Sequence, residues 1–264
     1  MFAGLFLLVL ANGLVLRIYS SIEQHGLGNA LLAMFDISVI VWAACTAAPI
    51  LMARSADMPL RRFDRTAAAL TIVASALPLA DASWIAATGL ALYLLGDPPV
   101  PDALGGRAGS RRAASVLLAI AGSMFWGRLI LHNGGDLILD ADASVVALLT
   151  GMDHEGNVIR TAGNGGYLWI SPFCSSLANI SLAILCCVTF ANWRGLAWTS
   201  RQTLRCLLAC LSVVLINDVR IGLMVLRPEL YDELHGSVGA GIAGWLTGLC
   251  VITIAVVGNR EEKA

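Results

Sequence analysis

Apolar residues run along this chain in blocks of membrane-spanning size, broken by short polar stretches that hold most of the charge. A bilayer core takes roughly 20 apolar helical residues, and windows of that size predict helices near 1 to 18, 30 to 53, 66 to 81, 82 to 96, 113 to 131, 175 to 192, 203 to 226 and 236 to 257. The expected fold is all-α: a polytopic transmembrane helix bundle of about eight spans, forming one integral membrane domain over residues 1 to 264. The third and fourth segments are short and meet at Leu77-Pro78-Leu79-Ala80-Asp81-Ala82. One long kinked helix or a re-entrant pair is the alternative there, and the choice flips every later orientation.

One polar segment, about His132 to Ser171, is much longer than the others. It opens with an amphipathic helix pattern from Asp140, then gives Gly156-Asn-Val-Ile-Arg160 and Gly163-Asn-Gly-Gly-Tyr-Leu-Trp-Ile170, where turn residues flank short apolar alternation. That pattern predicts a hairpin. Structured loops of this length usually carry function, and this one is expected outside the cytoplasm, delivering Pro172-Phe173-Cys174 to the sixth helix.

Composition agrees with the pattern: 58% of residues are hydrophobic, 13% charged, and the mean hydropathy is +0.77. Soluble domains carry roughly 25% charged residues, so the expected surroundings are a lipid bilayer. A net charge of −1 without a polybasic tract gives no case for nucleic acid. With eight spans and an internal amino terminus, Arg54, Arg61, Arg62, Arg65, Arg107, Arg111, Arg112, Arg194, Arg201, Arg205, Arg260 and Lys263 all fall inside, twelve of seventeen basic residues, as the positive-inside rule asks. The first segment begins Met1-Phe2-Ala3-Gly4, without a basic stretch or a small-residue cleavage site, and is read as a retained span. No internal repeat shows.

Of seven cysteines, only Cys174 sits in a polar loop at a helix entrance. A helix N-terminus favours thiolate over thiol, and Ser175 or Ser176 is placed to cap it. Arg220 lies inside the otherwise apolar run Val213-Val-Leu-Ile-Asn217-Asp218-Val-Arg220-Ile-Gly-Leu. Intramembrane ionisable residues are functional candidates, although neutralisation by Asp218 or snorkelling is the simpler account. Asn217 shares a helix face with Arg220 and is a supporting candidate, whereas Asp218 points about 100° away. His235 precedes the glycine-rich last span, with Asp232 and Glu233 nearby, and an imidazole suits proton exchange near neutral pH. By hydropathy all three candidates stand at helix mouths on one membrane face. A thiol, a guanidinium and an imidazole gathered there are the parts of an acyl-transfer site.

Other chemistries fare worse. His25, His132 and His154 lack metal-ligand spacing, and no zinc motif, nucleophile elbow, phosphate loop or dinucleotide fingerprint stands in a credible context.

The runs Ser171-Pro-Phe-Cys174-Ser-Ser-Leu177, Asn217-Asp-Val-Arg220-Ile221 and Leu234-His235-Gly236, in this order, resemble the exosortase/archaeosortase family. The likeness covers mainly residues 138 to 257, and the family's Cys-Ser-Gly stands here as Cys174-Ser175-Ser176. The resemblance implies a membrane cysteine protease and transpeptidase with Cys174 as nucleophile, Arg220 as oxyanion partner and His235 as proton carrier. Its substrates would be secreted proteins bearing a C-terminal sorting signal and a hydrophobic helix, and it needs no cofactor. It also implies a bacterial inner-membrane location with the site facing the periplasm. A small-solute transporter and a non-catalytic binder of transmembrane sorting signals are the alternatives; the lack of paired, broken halves speaks against transport.

Overall fold

The computed structural model describes residues 1–55, 61–77, 79–96, 106–163 and 166–257. Pro78, Arg260 and Lys263, on which the sequence expectations partly rest, lie outside them. About 85% of the described residues are helical, and the contacts divide the chain into two compact units, Met1–Phe125 with Val188–Ala197, and Trp126–Cys187 with the chain from Trp198 onward.

The first unit contains α1 (Phe2–Leu32), α2 (Val39–Arg54), α3 (Arg62–Ala76), α4 (Ala80–Gly96) and α5 (Gly106–Ala121). Ser38 starts α2 by accepting a hydrogen bond from the Ile40 N–H at 3.3 Å, and Asp64 starts α3 by accepting from the Arg61 N–H at 2.7 Å. α3 and α4 are separate helices packed against each other, not one kinked helix. Asn12 of α1 ties both, donating to the Ser75 carbonyl at 2.6 Å and the Ser83 hydroxyl at 2.8 Å. The buried Trp84 ring lies against Gly13, where an added Cβ would stand 2.7 Å from the indole. Between α1 and α2, Met34, Phe35 and Asp36 take left-handed φ of 53°, 58° and 56°, a conformation unfavourable for residues with a Cβ. Asp36 is held there from α1, accepting from the Ser21 hydroxyl at 2.6 Å on its carboxylate and from Arg17 at 3.1 Å on its carbonyl.

The second unit holds α6 (Gly127–Thr150), a small sheet of β1 (His154–Glu155), β2 (Val158–Arg160) and β3 (Tyr167–Trp169), then α8 (Ser200–Leu226), α9 (Tyr231–His235) and α10 (Ser237–Val257). α7 (Ser176–Arg194) begins in this unit and ends in the first. The sheet is antiparallel in the order β1-β2-β3. Gly156, at φ 56°, makes the tight turn between β1 and β2, a conformation open to glycine without strain. Leu139, Ala143 and Val146 of α6, Ile159 and Leu168 of the sheet, and Ile221, Met224 and Val225 of α8 form one buried core.

Two sequence expectations are corrected. The segment expected to leave the spanning helix near His132 and to form a separate amphipathic helix from Asp140 is helical throughout to Thr150, in a run that continues from Gly109. A single-turn π segment at Gly122–Trp126 and non-helical torsions at Gly134 interrupt the run without ending it. The polar residues after His132 hid this continuity, while the stripe Leu139, Ala143, Val146 and Ala147, buried in this helix, sustains it. The first helix also runs to Leu32, beyond the expected residue 18, kinking at Gly26.

Four helices among the described residues are long and apolar enough to cross a membrane: Phe2–Leu32, Gly109–Thr150, Ser176–Arg194 and Ser200–Leu226. α3 and α4, at 15 and 17 residues, fall short of that length. α8 is apolar on its outer side as well as its inner one, with Leu204, Leu208, Leu211, Leu215 and Val219 exposed. A helix apolar all round, on the outside of a fold, belongs in lipid. The protein is a helical membrane protein.

Candidate active site

The residues singled out from the sequence stand on three neighbouring elements of the second unit. Cys174 closes a 3-10 turn, Pro172–Cys174, that follows β3 directly. The turn bonds itself through the Cys174 N–H to the Ser171 carbonyl at 2.9 Å. The thiol is half-buried, packed against the unit's core, with its Sγ 3.6 Å from the Ser171 hydroxyl.

α8 supplies the link. Asn217 is buried, and its amide donates both to the Cys174 carbonyl at 2.7 Å and to the Ser176 hydroxyl at 3.2 Å. One turn along the same helix, Arg220 donates through Nε to the carbonyl of Leu234 at 3.0 Å, the residue before His235. The spacing of three that put Asn217 and Arg220 on one face therefore joins the cysteine turn at one position and the histidine segment at the other. Arg220 makes no ion pair among the described residues, so neutralisation by Asp218 does not account for it, and its two terminal amines are left over from the Leu234 bond.

His235 ends α9, and its exposed ring stacks on Tyr231 at 5.0 Å between centroids and 9° between planes. No hydrogen bond among the described residues joins the imidazole to Cys174, Asp232 or Glu233. The structure thus brings the backbone of Cys174, the side chains of Asn217 and Arg220, and the backbone before His235 into one bonded chain, and leaves the imidazole itself outside it.

The start of α7 differs from the sequence expectation. Cys174 is not its first residue: the helix starts at Ser176, with Ser175 before it. Ser175 Oγ accepts from the Leu177 N–H at 3.2 Å, and Asp142 of α6 accepts from the Ser176 N–H at 3.0 Å. The helix-end donors expected to favour a thiolate at Cys174 are thus taken by a serine and a carboxylate.

Asp142 is the residue that sequence reasoning missed. It is 8% exposed and sits in the same helical stripe as Leu139, Ala143 and Val146, so a carboxylate interrupting an apolar stripe was its signal. Asp218, 1% exposed, lies beside Ser176 and within electrostatic reach of Asp142, and its Oδ1 has no hydrogen-bond partner. Five buried polar side chains, Asp142, Ser175, Ser176, Asn217 and Asp218, therefore underlie the cysteine turn. No group of three or more His, Cys, Asp and Glu side chains able to hold a metal ion occurs among the described residues.

No family model, curated protein or solved structure matches this chain.

Proposed function

We propose that this protein is a membrane-embedded cysteine transpeptidase that removes a C-terminal sorting signal from secreted proteins. The observation that carries the reading is the bonded bridge across α8, in which Asn217 grips the Cys174 carbonyl while Arg220 grips the carbonyl next to His235. A nucleophile, a cation and a proton carrier on one helical frame meet the needs of acyl transfer.

In the proposed sequence the Cys174 thiol loses its proton to His235, and Sγ attacks the scissile carbonyl carbon. The C=O electron pair moves onto oxygen, and the terminal amines of Arg220 donate hydrogen bonds to that oxyanion. The C–N bond then breaks, the leaving amine takes the proton from His235, and a thioester remains on Cys174. An amine or water repeats the steps in reverse, freeing the thiol. The proposed sequence requires His235 to turn off Tyr231 towards the thiol, and side-chain rotations are fast in exposed residues. The proposal includes eight spans, a bacterial inner-membrane location and a site on the periplasmic side.

Asp218 is the observation that favours a second reading, since a buried carboxyl oxygen without a partner in a membrane helix also suits an ion or solute path. Variants at Cys174 and Asp218 separate the two. Cys174→Ser, co-expressed with a tagged secreted protein that ends in an apolar helix and a basic tail, is expected to abolish processing while insertion in the membrane persists. Processing retained at the wild-type level would overturn the nucleophile assignment, whereas a transporter built on Asp218 would keep its solute uptake in Cys174→Ser and lose it in Asp218→Asn.

A further inference from the structure

β3 is an open edge strand that leads straight into the cysteine turn. Among the described residues, the order β1-β2-β3 leaves one side of β3 without a neighbour strand. Towards β2 the ladder uses the Gly166 carbonyl, which accepts from Thr161 at 2.9 Å, and the Ile170 N–H, which donates to Asn157 at 2.9 Å, with Leu168 opposite Ile159 between them. Strand groups alternate in direction, so the N–H and C=O of Tyr167 and Trp169 face away from β2. None of these four groups has a partner among the described residues.

The side chains alternate in the same way. Leu168 is buried in the unit's core, while Tyr167 and Trp169 are 74% and 62% exposed on the opposite face. Arg160 stands directly across from Tyr167 in the β2–β3 register, so its side chain shares that face. It is exposed and makes no ion pair among the described residues. Five residues after Trp169 comes Cys174.

The geometry points to β3 as the substrate-binding strand: an extended peptide carrying a carboxylate side chain adds to its open edge, its backbone pairing with Tyr167 and Trp169 and its carboxylate meeting Arg160, and is thereby led to Cys174. This deepens the transpeptidase reading and rests on it. Strand addition takes affinity from main-chain bonds and selectivity from alternate side chains, and β3 offers both. Exposed Tyr, Trp and Arg side chains also suit a membrane interface, but a lipid surface makes no use of an open ladder that continues into a thiol.

The test uses the purified full chain in nanodiscs, carrying Cys174→Ala so that nothing is turned over. Its ligand is a short fluorescein-labelled Thr-Glu repeat peptide, compared with a Thr-Lys repeat and with a Thr-Glu repeat N-methylated at alternate amides. The acidic peptide is expected to bind, the other two to bind at least about tenfold more weakly. Arg160→Ala is expected to weaken the acidic peptide about tenfold. Trp169→Pro removes the outward N–H and leaves the ladder to β2 intact, so it is expected to cost about tenfold as well, while Trp169→Phe keeps binding. Equal binding of the N-methylated peptide, failure of the acidic peptide to bind, or wild-type binding by Trp169→Pro overturns the proposal. So does cross-linking of benzoylphenylalanine at position 167 to lipid in place of peptide. If Trp169→Pro misfolds, the N-methylated peptide still decides. Because binding needs no thiol, acidic-peptide binding that persists while the Cys174 protein leaves the tagged sorting-signal substrate unprocessed counts against the transpeptidase reading alone.

Discussion

Asn217 gives the thiol its fixed backbone, since a single amide holds both the Cys174 carbonyl and the Ser176 hydroxyl. Asn217→Ala therefore leaves a half-buried carbonyl and a buried hydroxyl without this donor, at a cost of about 1 to 3 kcal/mol. Processing is expected to fall about tenfold or more, with the variant still inserted, as a pulse-chase of the tagged substrate would read. Arg220→Lys tests a different property, keeping the charge but losing the planar donor fork and its Nε bond to Leu234; wild-type processing in that variant would remove Arg220 from the oxyanion role. Asp218 makes the opposite kind of prediction. Its buried carboxyl has an unpartnered oxygen beside a second carboxyl and no cation among the described residues, so Asp218→Asn is expected to raise the thermal midpoint in detergent at neutral pH. Cys174, Asn217 and Arg220 were legible in the sequence because each is polar where its surroundings are apolar, or reactive where they are polar. Asp142 was not, because it fell at the start of an amphipathic helix expected in an external segment, where a carboxylate calls for no explanation.

The helix that runs through Gly134 to Thr150 was misjudged for a physical reason. Hydropathy measures compatibility with lipid, whereas this helix passes from an apolar stretch to an amphipathic one across a kink at Gly134, and its second part is held by the sheet and α8. The hairpin was visible because period-two alternation and glycine turns survive at short range, while β1, two residues long, carries too little pattern to be read. At α7 the cap was narrowed to two serines, and the structure selects Ser175. Ser175→Ala is expected to cost about 1 kcal/mol and to loosen the cysteine turn. Faster hydrogen exchange at Leu177 would register it, and unchanged exchange there would show that Asp142 alone holds the helix end.

Two units, each with its own core, make a whole-molecule statement testable from either side. In the first, the indole of Trp84 fills the space that a side chain at position 13 would need. Gly13→Leu overpacks that contact and is expected to cost about 1 to 3 kcal/mol, lowering the thermal midpoint. Cys174, in the other unit, is expected to keep its alkylation rate in the molecules that remain folded. The chain's membrane character was legible at once from composition. The number of spans was not, because α3 and α4 are too short for length to decide between crossing and re-entry.

An open strand edge is also a template for another copy of itself, and unguarded edges are where proteins aggregate. β3 is three residues long, and Arg160 stands beside it on β2. That length gives two outward pairs of main-chain groups, enough to hold one peptide in register but too few to start a stack of sheets, and two copies meeting edge to edge would bring their arginines together. The shortness of β3 and the cation beside it thus act as a filter on self-association, admitting a strand of complementary charge and discouraging the protein's own.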